Sequence, residues 1–155
     1  MDGIEIRRIT MEDITEEQFS EIVDLEINCG LDPFPPDVLA CDIEYEETWA
    51  AFDGDHVSGF ITVSQEEGYY DEDLFIFNIN VGSEWRNRGI ATALIRKALS
   101  ENPSCRTMSL DVNLENRKAL NLYEKLGFEK TDTPSMNGIT DIVMRGKRET
   151  ILSLP

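Results

Sequence analysis

Histidine is almost missing from this sequence, cysteine is sparse, positive charge is scarce in the first half, and no apolar run is long. The single histidine, His56, falls in the turn-like run Asp53-Gly54-Asp55-His56. A Ser-His-Asp or Cys-His mechanism would therefore rest on a hairpin tip, which argues against histidine-based catalysis. Cys29, Cys41 and Cys105 lie too far apart for a CxxC redox pair or a closed zinc site, and they read as buried thiols. No apolar stretch reaches the ~18 residues of a membrane span, and the start MDGIEIRRIT lacks the apolar core of a signal peptide. The expectation is a cytoplasmic protein with no membrane partner. No repeat or low-complexity tract breaks the chain.

What is present is an ordinary globular composition, 155 residues with 41% hydrophobic and 29% charged side chains, too apolar for a disordered acidic chain. That length predicts one domain spanning residues 1–155. The net charge of −17 hides a division. Residues 1–85 carry 23 Asp and Glu against Arg7 and Arg8 alone, whereas residues 86–155 carry 12 Lys and Arg against 8 Asp and Glu. Between Trp85 and Ser100 there is no acidic residue, but Arg86, Arg88, Arg96 and Lys97 are there. Arg96 and Lys97 suit the negative C-terminal end of a helix. Arg86 and Arg88 precede that helix, where its dipole disfavours cations, so they call for a phosphate partner. Nucleic acid is a poor fit, because its backbone needs a broad positive surface. A small polyphosphate fits better.

The pattern is mixed α/β. Ile4 to Ile9 alternates as a strand, and Phe19, Ile22, Val23 and Leu25 fall at helical spacing before a Cys29-Gly30 stop. Pro36 is placed to open a second helix through Val38 and Leu39. Trp49 to Phe52 and Val57 to Val63 flank Asp53-Gly54-Asp55 as a hairpin. Leu74 to Val81 is a strand whose second face turns polar at Asn78 and Asn80, which suggests a site. A glycine turn leads to a helix over Gly89–Leu99. Thr107 to Val112 is a strand with Asp111 on its polar face, and Asn116 to Leu126 is a helix closed by Gly127. Asp141 to Met144 is a last strand, followed by a polar tail.

The chemistry lies in Val81-Gly82-Ser83-Glu84-Trp85-Arg86-Asn87-Arg88-Gly89-Ile90-Ala91, between a strand and a helix. It is neither a P-loop nor a GxGxxG turn. It is a loop entering a helix N-terminus, with small residues at Gly89 and Ala91 that let backbone N–H groups reach an anion. That suits a pyrophosphate. The segment resembles the Arg/Gln-x-x-Gly-x-Gly/Ala motif of the GCN5-related N-acetyltransferase (GNAT) family, met here by Arg86, Gly89 and Ala91. The run from Asn113 and Asn116 through Ala119, Leu122-Tyr123 and Gly127-Phe128 is similar to the family's second block. Through Phe77-Asn78-Ile79-Asn80-Val81 and Asp111-Val112-x-x-x-Asn116, the core is similar to that of ribosomal-protein alanine N-acetyltransferases, with Asp111 where those enzymes carry Glu.

The resemblance implies a GNAT fold of α/β (α+β) class: a central mixed, mostly antiparallel sheet flanked by helices and splayed between its fourth and fifth strands. It implies acetyl-CoA (coenzyme A) as co-substrate, no metal, and transfer of the acetyl group to an amine by direct attack in a ternary complex. The loop Arg86, Asn87, Arg88, Gly89, Ile90, Ala91 and Thr92 is where the pyrophosphate is expected, and Val81 is expected to contact the cofactor through its backbone and to offer its N–H as oxyanion donor. Tyr123 matches the family's general acid and a cofactor contact, although its place on an apolar helix face also suits a core tyrosine. Asn116 matches a pantetheine contact and also suits a helix N-cap. An amine of pKa ~10 must lose a proton before attack. Asp111 is the first candidate base, with Asn80 holding a water and Asp71-Glu72-Asp73 as fallbacks. The acidic first half favours a cationic acceptor, a protein N-terminus, lysine, polyamine or aminoglycoside, with Glu44, Glu46, Glu47 and the Tyr69-Tyr70 loop as places to look. A homodimer is left open. The competing readings are a non-catalytic acyl-CoA sensor and, more remotely, a calcium module, for which the EF-hand pattern is missing.

Overall fold

The computed structural model describes residues 3–29 and 32–153. Its strands are β1 (Ile4–Ile9), β2 (Glu47–Asp53), β3 (His56–Ser64), β4 (Asp73–Val81), β5 (Thr107–Asn113), β6 (Glu129–Lys130) and β7 (Asp141–Lys147). Its helices are α1 (Glu16–Ile27), α2 (Pro36–Tyr45), α3 (Ile90–Ser100), α4 (Arg117–Lys125) and α5 (Arg148–Ser153), with short 3-10 turns at Met11–Asp13 and Ser83–Trp85. The strands form one seven-stranded mixed sheet in the order β1-β2-β3-β4-β5-β7-β6, the expected α/β arrangement. The β1–β2, β2–β3, β5–β7 and β6–β7 pairs are antiparallel, and β4–β5 is parallel. Parallel pairing runs from Asp73 opposite Thr107 to Ile76 opposite Leu110, whereas β4 continues to Val81 and β5 to Asn113. No helix among the described residues is long and apolar enough to cross a membrane.

The chain divides into two compact units, Met1–Val63 with Asn78–Ala98 and Ser64–Phe77 with Leu99–Pro155. The first has a core of Ile9, Ile22, Leu39, Ile43, Ala50, Phe52, Val57 and Phe60. It forms because β2 and β3 are buried along nearly their whole length and α1 and α2 each turn an apolar stripe inward. Thr15 starts α1 with a capping box, its hydroxyl accepting the Gln18 N–H while Gln18 Oε1 accepts the Thr15 N–H. Pro36 opens α2 as expected. Gly54, at φ 61, supplies the left-handed residue of the β2–β3 turn. Gly30, read from the sequence as a helix stop, lies outside the described residues; α1 itself ends at Ile27.

The second unit buries Leu74, Met108, Leu110, Leu120, Leu126, Phe128, Val143 and Ile151. Two elements there went unread. β6 is a two-residue strand, and the tail after Met144 first extends β7 and then folds as α5. Arg148 fixes that helix: its Nη1 donates to the carbonyls of Leu99, Asn102 and Cys105 at 2.9–3.1 Å. The cysteines correct the sequence reading, since Cys105 alone is buried, Cys29 is half-buried and Cys41 is exposed.

Candidate functional site

In the first unit the loop after β4 is built from backbone. The Gly82 N–H donates to the Ser58 carbonyl of β3 at 2.8 Å. Successive amides of a strand point to opposite edges, so the Val81 N–H faces the edge away from β3. A Cβ on Gly82 would stand 2.8 Å from the Trp85 ring and 3.0 Å from Leu25, so glycine lets the turn close. Trp85 holds the turn in place, its indole Nε1 donating to Asp53 Oδ2 at 2.9 Å. Beyond it, Arg86, Asn87, Arg88 and Gly89 are all exposed. Asn87 (φ 64) and Gly89 (φ 78) take left-handed backbone, and space is open where a Gly89 side chain would start. The Gly89 carbonyl accepts the Ala93 N–H at 3.0 Å and so opens α3. The N–H groups of Ile90, Ala91 and Thr92 belong to that first turn and have no intrahelical acceptor. Arg86 reaches back only weakly, Nε to the Val81 carbonyl at 3.4 Å. Amides without an intrahelical acceptor, a positive helix end and two guanidinium groups fit a diphosphate.

The polar end of β4 has a partner that no motif disclosed. Glu26 on α1 is 2% exposed, and three N–H donors converge on it. Asn78 Nδ2 and Asn80 Nδ2 donate to its Oε1 at 2.7 and 2.6 Å, and the Phe34 N–H donates to its Oε2 at 2.9 Å. Asn80 Nδ2 also donates to Asn78 Oδ1 at 3.2 Å. The signal in the sequence was position: Glu26 follows Phe19, Ile22 and Val23 by seven, four and three residues, which sets a carboxylate into the apolar stripe of α1. On α2, burial first and then the charge of Glu26 push the Asp42 carboxyl up.

The second unit holds the other sequence-predicted residues. Asp111 stands on β5, and its Oδ1 accepts from the hydroxyls of Tyr69 and Ser135, each at 2.6 Å. Its Oδ2 meets no donor among the described residues. Tyr69 accepts the Met136 N–H at 2.9 Å, and burial, followed by its bond to Asp111, pushes its phenol up. Asn116 caps α4, its Oδ1 accepting the Ala119 N–H at 3.3 Å, so the N-cap role is in place. Tyr123 is 6% exposed with its ring 5.6 Å from that of Phe128, and burial pushes its phenol up to about 12. No described residue hydrogen-bonds its hydroxyl, unlike a core tyrosine satisfied by a carbonyl.

Of the acidic fallbacks, Asp73 is buried under the hydroxyls of Thr107 and Ser109, and Glu72 pairs with Arg106 at 3.0 Å. Among the residues proposed for the acceptor, Glu47 accepts from the Trp49 indole at 2.8 Å and Tyr70 shares a hydrogen bond with Thr133 at 2.7 Å. His56 faces Glu21 at 2.8 Å on the hairpin.

In the first unit the strand, glycine loop and helix follow one another, and in the second the run from Asn113 to Phe128 lies on β5 and α4. A family model, the acetyltransferase (GNAT) family, matches residues 10–128, and the chain belongs to that family. The L-amino acid N-acetyltransferase AaaT of Escherichia coli (strain K12) is 34% identical over 83 residues, 52% of this chain and 51% of that one, so the chain spans about half the length of the relative it matches. Among solved structures, the ribosomal-protein-S18-alanine N-acetyltransferase of Escherichia coli has TM-score 0.72 at 20% identity over 93% of both chains. PaiA N-acetyltransferase of Thermoplasma acidophilum, solved in complex with coenzyme A, has TM-score 0.74 at 18% identity over 93% of this chain and 98% of that one. The fold is shared across them.

Proposed function

We propose that the chain is an acetyl-CoA-dependent N-acetyltransferase whose acceptor is a cationic primary amine, working by direct attack in a ternary complex, and that its two units act as one domain. The observation that carries this reading is the loop from Arg86 to Thr92, where amides without an intrahelical acceptor and two exposed arginines meet at a helix start in the family's motif. Structures of the same fold solved with coenzyme A support it. When bound, acetyl-CoA supplies an acetyl group activated as a thioester.

The residues divide the remaining work. The amides of Gly89, Ile90, Ala91 and Thr92, with Arg86, Asn87 and Arg88, hold the diphosphate. The Val81 N–H, on the edge of β4 away from β3, donates to the carbonyl oxygen as negative charge develops on it. Asp111 receives the amine's proton at Oδ2, with Oδ1 held by Tyr69 and Ser135, so the carboxylate is turned by its partners toward one task. Tyr123 keeps its proton at neutral pH, because burial has raised its phenol, and donates a hydrogen bond to the departing sulfur. Asn116 caps α4 and so sets the helix that carries Tyr123.

The test is acetyl-CoA turnover, read as thiol release, against a free-N-terminus peptide, Nα-acetyl-lysine amide, spermidine and an aminoglycoside. Thiol release that depends on one of these amines is expected. Binding of acetyl-CoA without thiol release for any amine would replace this reading with that of an acyl-CoA sensor.

A further inference from the structure

We infer that Glu26 is a positioning residue for acceptor recognition: by drawing the amide NH2 group of Asn80 onto its buried carboxylate, it turns the Asn80 carbonyl oxygen outward as the contact for the acceptor's ammonium. The inference rests on the acetyltransferase reading and adds to it the atom that meets the amine.

A side-chain amide has two faces of opposite polarity, and what it offers depends on which way it is flipped. Here the flip is dictated. Glu26 Oε1 takes hydrogen bonds from Asn78 Nδ2 and Asn80 Nδ2, and Asn78 Oδ1 takes a second from Asn80 Nδ2. Both hydrogens of the Asn80 amide are thereby engaged. Its Oδ1 meets no donor among the described residues, and it is not a buried unsatisfied atom. Asn80 is half-buried at the end of β4 and precedes Val81, the residue whose backbone is proposed to receive the acyl carbonyl.

A carboxylate is the one side chain suited to the role. All three groups converging on Glu26 are N–H donors, two side-chain amides and the Phe34 backbone; the backbone N–H cannot reverse, and an amide that flipped to suit a donor would turn its carbonyl oxygen inward. Glutamine would turn an NH2 group toward one of them. Among the described residues no cation pairs with Glu26, so its negative charge is not cancelled locally, and Asp42 stands near enough on α2 to feel it. An outward carbonyl dipole backed by that charge attracts an ammonium group and offers nothing to an anion.

The experiment compares Glu26→Gln and Asn80→Ser with the unaltered protein, using whichever amine of the panel above gives the highest rate. Asn80→Ser keeps a donor for Glu26 but removes the outward carbonyl, so it carries the test if Glu26→Gln fails to fold. A lost hydrogen bond to a charged group corresponds to about tenfold or more in affinity. The expected result is a rise of about tenfold in KM for the amine, with KM for acetyl-CoA changed by less than about twofold. A merely structural role would move both constants or neither, and either outcome overturns the inference while leaving the acetyltransferase reading intact. An unaltered protein that binds no acetyl-CoA in calorimetry and turns over none of the amines overturns both.

Discussion

Replacing Tyr123 with Phe separates two ways in which a tyrosine can assist a departing thiolate. Burial pushes the Tyr123 phenol up to about 12. A thiol titrates near ~8.5. Full transfer of the phenolic proton to a thiolate is therefore uphill by roughly 3.5 pK units, about 5 kcal/mol at 1.36 kcal/mol each. In the proposed mechanism the hydroxyl therefore acts by donating a hydrogen bond to the developing charge, and the thiolate takes its proton from water afterwards. A hydrogen bond to a charged group contributes roughly 1.5–3 kcal/mol. Tyr123→Phe should thus lower kcat by about ten- to a hundredfold, short of the ~10⁴-fold at the upper end of general acid catalysis. Because no described residue bonds the hydroxyl, the substitution leaves no partner stranded, and stability should change by less than about 0.5 kcal/mol. Pre-steady-state thiol release, a coenzyme A titration and a thermal melt on the same sample make the assay. Unchanged kcat would remove Tyr123 from the mechanism, and a loss near ~10⁴-fold would refute the hydrogen-bond argument.

Arg86→Ala with Arg88→Ala should weaken coenzyme A binding by about tenfold at low salt and by less at high salt, because both groups are exposed and screened; equal loss at both salts in calorimetry would contradict it. Asp73→Asn should leave stability at neutral pH equal or slightly higher, because Thr107 and Ser109 are hydroxyls able to turn and accept from an amide. Burial, opposed by those hydroxyls, holds the Asp73 carboxyl above its usual value of 3.8, so the folded state binds its proton more tightly. Its contribution therefore falls as pH rises from the unfolded value through the folded one, and a denaturation series across that window should show the fall in the unaltered protein and not in Asp73→Asn. His56 is raised, first by its hydrogen bond to Glu21, so that pair stabilises the hairpin below the unfolded pKa of 6.5 and is lost as pH rises through the folded value. Hydrogen exchange at the Val57 amide, which donates to Glu21, should quicken across that rise, and His56→Gln should abolish the dependence.

Elements with a strong local pattern were legible in the sequence. The Asp53-Gly54-Asp55 hairpin follows from turn chemistry, α2 from Pro36 at its first position, and α4 from Asn116 before an apolar stripe. The loop from Arg86 to Thr92, proposed to hold the pyrophosphate, was legible as a loop entering a helix because its signal, guanidinium groups and small residues before a helix, is contiguous. β6 was not legible, since Glu129 and Lys130 are exposed and polar, with pairing available only from the edge of β7. Helix α5 was missed because it is fixed by distant carbonyls and by Ile151, which packs against Gly146 where a Cβ would stand 2.9 Å from it. The polar surroundings of the site were hidden for the same reason. Asp111 is held by Tyr69, 42 residues earlier, and by Ser135, 24 residues later. Glu26 lies 52 and 54 residues before the two asparagines it holds. Local pattern finds backbone motifs, but side-chain networks closed by the fold leave only indirect traces, such as a carboxylate in an apolar stripe.

The central claim is that the residues from Arg86 to Thr92 grip the diphosphate of coenzyme A, and isothermal calorimetry of coenzyme A into the folded chain tests it most directly. The account predicts a saturable heat at one site per chain that weakens as salt rises; no heat, or a heat unchanged in the Arg86→Ala, Arg88→Ala double variant, would contradict it.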